Sequence, residues 1–119
     1  MELTLNEYQE KAMSTCMDSC NNFAYMSYGL VGEVGELAGK IAKHIRKEKA
    51  SINANHLEAS GLTIGDAKDI VSELGDCLWY VAGIAKALDI SLDDVAQANI
   101  NKLADRQRRG VIDGNGDNR

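Results

Sequence analysis

Proline is absent from this chain of 119 residues. A proline breaks a helix by removing an amide donor and clashing with the preceding turn. Long helices are therefore unobstructed here, and helix-favouring residues dominate, so an all-α fold is expected. Cysteine is scarce as well. Cys16, Cys20 and Cys77 form no disulfide framework by count or spacing, and with no CxxC they point to a reducing, cytoplasmic setting. No secretory leader or long apolar run is visible, which argues against export and membrane spanning. Positive charge is in deficit, with a net charge of -5 and a pI near 4.9. That excludes a general nucleic-acid or membrane-surface binder. The sequence also lacks a phosphate-binding glycine loop and a GxSxG nucleophile turn. Neither His44 nor His56 stands three residues after a glutamate, so the ExxH pairs of di-iron bundles are missing too.

What is present reads as one domain, residues 1–119, of four helices in a bundle-like arrangement. The first begins at Thr4, where Thr4 and Glu7 make a capping-box pattern, and is expected to reach residue 20 before Asn21 and Asn22 break it. The second is expected over residues 24–49, with a basic end that suits the helix dipole. Residues 50–62 lose the periodicity and read as a loop. The third helix starts at Thr63 and continues to residue 88. The fourth is capped by Ser91 and reaches about residue 109. The glycine-rich tail, residues 110–119 ("GVIDGNGDNR"), is expected to be mobile unless something holds it.

Two acid pairs stand out, Glu33 with Glu36 and Glu73 with Asp76. At 100° per residue, Leu30, Val34, Leu37, Ile41 and Ile45 form the core arc of the second helix, and Gly29, Glu33, Glu36 and Lys40 share its flank. In the third helix Ile70, Leu74, Cys77, Leu78, Val81 and Leu88 form the core arc, flanked by Asp69, Glu73, Asp76 and Tyr80. Either pair alone is what many solvated helices carry, and Glu36 with Lys40 has the spacing of an ordinary surface ion pair. Two pairs on adjacent helices are different. Packed antiparallel, they set four carboxylates against one another, a conflict that a divalent cation resolves. Oxygen ligands alone favour Mg²⁺, with Mn²⁺ a substitute, over zinc.

The fourth helix carries Asn99, Lys102 and Arg106 on the face of Leu92, Val95 and Leu103. Two inward cations need anions. They either pair with the carboxylates of the second and third helices or await phosphate oxygens, for which arginine offers bidentate contact. The cysteines read as core residues and Met13, Met17 and Met26 as packing. Trp79, opposite the core arc, reads as a subunit interface or a base-stacking wall, the interface preferred.

The segments "GLVGEVGELAGKIAKHIRK", "ELGDCLWYVAGIA" and "NINKLADRQRRG" resemble MazG-like nucleoside triphosphate pyrophosphohydrolases of the all-α NTP pyrophosphatase superfamily. The resemblance covers roughly residues 25–110. It implies a MazG-type helical bundle, a homodimer or homotetramer, that hydrolyses nucleoside or deoxynucleoside triphosphates to the monophosphate and pyrophosphate in nucleotide-pool control or house-cleaning. By the same match Glu33, Glu36, Glu73 and Asp76 would hold Mg²⁺, with Glu36, and Glu33 beside it, in the catalytic role. Lys102 and Arg106, with Lys40 and Asn99, would contact phosphates. Asn21, Asn22, Tyr25 and Tyr28 are the candidates for reading the base. The chain departs from the family in the longer stretch between Glu36 and Glu73. A dUTPase-like or damaged-nucleotide hydrolase of the same superfamily, or a non-catalytic helical dimer, remain the alternatives.

Overall fold

A computed structural model describes residues 2–47, 51–52, 57–58 and 63–119. They form four α-helices, as expected: α1 (Leu5–Met13), α2 (Phe23–Arg46), α3 (Ile64–Ala87) and α4 (Leu92–Arg109). Between α2 and α3, β1 (Ser51–Ile52) pairs antiparallel with β2 (Leu57–Glu58). This small ladder falls inside the stretch expected to be loop. The expected end of the second helix at Lys49 lies outside the described residues.

Helix ends follow side-chain chemistry. The Thr4 hydroxyl accepts from the Glu7 amide at 3.1 Å, and Ser91 accepts likewise from Asp94. Thr63 and Asp66 form a complete capping box, satisfying two amides that a helix start leaves orphaned. The first helix stops at Met13, short of the expected residue 20. Ser14 and Thr15 donate their hydroxyls back to the Lys11 and Ala12 carbonyls, both at 2.6 Å, offering the backbone an alternative to the helical ladder. A 3₁₀ turn (Asp18–Cys20) follows, so Cys16 and Cys20 do not share a helix. Asn22 then caps α2, its Oδ1 accepting from the Tyr25 amide at 2.8 Å.

The principal packing is α2 against α3, with α1 laid across α3 and α4. Met13, Met26, Ala82 and Leu92 make the core, surrounded by Tyr8, Ala12, Trp79, Tyr80 and Ile84. Gln9 stitches α1 to the α3–α4 turn, donating to the Ala82 and Ile90 carbonyls and accepting from the Leu92 amide. Trp79, read as a subunit interface or a base-stacking wall, is tied to α1: its indole N–H lies 3.0 Å from both the Ala12 carbonyl and Thr15 Oγ1.

The expected core arcs are rotated out of the α2–α3 seam. Leu74 stays 51% exposed, and Val34, Leu78 and Leu88 are also exposed, while Glu73 is buried at 8%. The helices meet along the flank that carries the acids. On α4, Val95, Ile100 and Leu103 are exposed too. Among the described residues, no helix is long and apolar enough to cross a membrane.

Candidate active site

α2 and α3 run antiparallel, so Tyr80 meets Tyr25 at one end of the seam and Glu73 meets Lys40 further along. Between these contacts the acid pairs face each other. One oxygen each from Glu33, Glu73 and Asp76 lie within 4.8 Å of one another. Lys40 Nζ reaches Glu73 Oε1 at 2.8 Å. This cross-helix pair replaces the Glu36–Lys40 surface pair that the spacing suggested.

One lysine does not neutralise this cluster. Glu33 Oε2 and Glu73 Oε2 are buried with no hydrogen-bond partner. Burial, with the Glu36 carboxylate next in effect, pushes the Glu33 carboxyl up to about 7. The Lys40 hydrogen bond holds Glu73 below the usual carboxylate range and raises Lys40 in turn. Acids crowded this way retain a proton that an isolated glutamate would lose. A divalent cation does the same work with more charge, and two orphaned buried oxygens in an oxygen-only donor set suit a hard ion such as Mg²⁺ or Mn²⁺. Glu36 is exposed and stands outside the close trio, near enough to act on Glu33 and Glu73.

Beside the trio, Glu33, Asp76, Trp79 and Tyr80 line a cleft of about 320 Å³. The Tyr80 ring packs close against α2 because residue 29 is glycine: a Cβ there would stand 2.0 Å from Tyr80 Cε1. Trp79 meets Tyr80 edge-on, centroids 5.0 Å apart at 84°. The Tyr25 and Tyr80 hydroxyls are 3.5 Å apart, a contact that raises the Tyr25 phenol above its usual value. Carboxylates at one end and aromatic rings at the other suit a ligand that is planar at one end and brings a cation to the acids at the other.

Of the four residues expected to read the base, Tyr25 joins this cleft through Tyr80. Tyr28 is 79% exposed, Asn21 is exposed, and the Asn22 carboxamide is engaged at the start of α2. Trp79 and Tyr80 line the cleft itself. Tyr80 was legible as the residue one turn beyond Asp76 on the acid flank. Trp79 was read as a subunit interface or a base-stacking wall, and its place in the cleft lining depends on α1.

The α4 residues do not join the acid trio within the chain. Asn99 is exposed. Lys102 and Arg106 turn to the tail, where Asp117 Oδ1 lies 3.5 Å from Lys102 Nζ and 3.1 Å from an Arg106 guanidinium nitrogen. The expected pairing with the α2–α3 carboxylates is not made, and Asp117 stands where the other reading places phosphate oxygens.

A relative of known sequence, Gene 37 protein of Mycobacterium phage L5, is 43% identical over 102 residues, covering 86% of this chain and 81% of that protein. No solved structure matches the chain. The family model of the MazG nucleotide pyrophosphohydrolase domain matches residues 22–111, the stretch that contains the acid trio, the aromatic cleft and the α4 cations. With paired acids on antiparallel helices and that match across most of its length, the chain belongs to the MazG nucleotide pyrophosphohydrolase family.

Proposed function

We propose that the protein hydrolyses nucleoside or deoxynucleoside triphosphates to the monophosphate and pyrophosphate, with Mg²⁺ held by Glu33, Glu73 and Asp76 and Glu36 beside them. The observation that carries this reading is the trio of carboxylate oxygens within 4.8 Å, with buried lone pairs unsatisfied, opening on an aromatic cleft. The ion would neutralise triphosphate charge and polarise the phosphoryl group under attack. Glu36, exposed beside the trio, takes the proton of the attacking water as its oxygen bonds to phosphorus and the pyrophosphate oxygen departs. Trp79 and Tyr80 hold the nucleoside and screen the site from bulk water. Lys40 positions Glu73. Lys102 and Arg106, with Asn99 on the same helix, supply charge to phosphate oxygens.

The α4 cations stand apart from the acid trio in one chain, and apolar side chains on α2, α3 and α4 remain uncovered. Val31 is 72% exposed. Apolar surface of that extent marks an association site. The working form is therefore a homodimer or homotetramer, in which a second copy covers these faces. Sedimentation at micromolar concentration should give a dimer or larger species. A monomer there sinks this part of the reading. The free thiols of Cys16, Cys20 and Cys77 fit a reducing cytoplasm.

Pyrophosphate release from a panel of NTPs, dNTPs and dUTP, with Mg²⁺ and with chelator, tests the activity. The expected result is Mg²⁺-dependent pyrophosphate from at least one member. Pyrophosphate from dUTP alone identifies a dUTPase-like enzyme, and no turnover of any member overturns the enzymatic reading.

A further inference from the structure

The tail is built, not loose. Gly110 ends α4 in the left-handed region at φ 71°, which favours glycine, and turns the chain back so that the Val111 amide donates to the Arg106 carbonyl at 3.0 Å. Arg119 then gathers the tail, donating to the Val111, Gly116 and Ile112 carbonyls at 3.0, 2.5 and 3.2 Å. Arg109 donates to the Arg119 carbonyl at 2.5 Å. The result delivers Asp117 to Arg106, which donates to both its carbonyl and its carboxylate at 3.1 Å.

The two partners of this contact are unequal. Arg106 is buried, 5% exposed, and its Nε is enclosed with no acceptor. The Asp117 side chain is 82% exposed and offers one oxygen to Lys102 and Arg106 together. One carbonyl and one carboxylate oxygen satisfy this buried guanidinium only in part, since its Nε has no acceptor. A terminal phosphate offers three oxygens and can bridge an ammonium and a guanidinium while reaching a further donor. An ion pair with one exposed member is weak enough to exchange.

We propose that the 110–119 tail is a built-in competitor: Asp117 occupies the Lys102–Arg106 anion site in the free protein, and a polyphosphate chain must displace it to bind. The inference rests on the reading that Lys102 and Arg106 receive phosphate oxygens. It adds that access to them is gated by the chain's own carboxylate. Displacement frees the segment that Arg119 gathers, so polyphosphate binding and loosening of the tail are one event.

Titration calorimetry of the full chain with inorganic tripolyphosphate, at fixed ionic strength without divalent metal, tests this. Asp117→Asn keeps the side-chain shape and removes the competing charge, and should tighten binding about three- to tenfold. Asp113→Asn removes the same charge from the same tail, at a residue that makes no ion pair with the α4 cations, and should leave the affinity near that of the unsubstituted protein. Unchanged or weaker binding by Asp117→Asn overturns the proposal, and weaker binding would make Asp117 a support for Arg106. Equal tightening by both variants also overturns it, as an effect of overall charge. Because the probe is a non-hydrolysed anion, this result is separate from nucleotide turnover. A protein that releases pyrophosphate but shows no gain on Asp117→Asn keeps its function and loses the gate.

Discussion

The α2–α3 seam and the α4–tail junction carry opposite imbalances of charge. In the seam, among the described residues, carboxylates outnumber Lys40, which reaches Glu73, and Glu33 and Glu73 keep oxygens with no partner. At the junction two cations share one carboxylate oxygen, and Arg106 Nε has no acceptor. Desolvating a charge without a partner is expensive, and this chain does it twice with opposite sign. Under the function proposed above, a metal–triphosphate complex would answer both, offering a cation to the first region and phosphate oxygens to the second. What the comparison teaches is that the two regions leave unmet charge of opposite sign.

The sharpest way to break this comparison is to remove charge from the seam. Asp76→Asn and Glu36→Gln each alter an exposed carboxylate, so the helical fold should survive by circular dichroism. Turnover should fall at least about a hundredfold, the scale of a contact made chiefly in the transition state. Near-normal turnover in both variants would remove the seam from the chemistry.

A second test asks whether the cleft depends on close approach of α2 and α3. Alanine for glycine in a helix interior stabilises by about 1 kcal/mol when the site is open. At Gly35 nothing lies within 4 Å of an added Cβ, whereas at Gly29 the Cβ would stand 2.0 Å from the Tyr80 ring. Gly35→Ala should therefore raise the unfolding free energy by up to about 1 kcal/mol. Gly29→Ala should lower it by up to about 2 kcal/mol, overpacking of about 1–3 kcal/mol outweighing the propensity gain. Displacing Tyr80 should also raise KM for the nucleotide. Urea melts on the pair check this, and equal shifts of the same sign would mean Tyr80 is not seated by Gly29.

Much of this was legible from residues alone. The helix starts at Thr4, Thr63 and Ser91 were readable because a cap is a local hydrogen bond between residues three apart. The acid trio was readable because helical periodicity sets Glu33 and Glu36 on one flank and Glu73 and Asp76 on another. Periodicity could not say which arc would face the partner helix. Leu74 and Glu73 are adjacent in sequence and about 100° apart around the helix, and only the packing partner decided that Glu73 is the buried one. The early end of α1 escaped because hydroxyl back-bonding at Ser14 and Thr15 competes with a ladder that propensity alone would continue. The role of Asp117 was illegible for a similar reason. Its approach to Arg106 needs the Gly110 turn and three Arg119 contacts at once.

The smallest effect expected is a difference in how stability follows pH with and without metal, and it tests the seam's side of the comparison without turnover. Glu33 is raised in the folded protein from its ordinary 4.5 to about 7, by burial first and by Glu36 next. A carboxyl raised by folding contributes stability that is fully present below 4.5 and lost as pH rises through 7, because the folded state holds a proton that the unfolded chain has released. Glu73, lowered chiefly by Lys40, and Asp117, lowered chiefly by Arg106, work the other way. Their contributions are present above the ordinary carboxylate range and lost only as pH falls below it. Between pH 4.5 and 7 the Glu33 contribution is thus the one of the three that changes steadily. In chelator, the melting temperature should decline across this interval. Saturating Mg²⁺ binds the folded, ionised cluster and stabilises it by mass action, so the decline should flatten or reverse. Glu33→Gln should flatten the chelator curve as well, since the group that titrates is gone. A decline that survives both Mg²⁺ and Glu33→Gln would locate the titrating group elsewhere and leave the seam's acids without the unmet charge that the comparison assigns them.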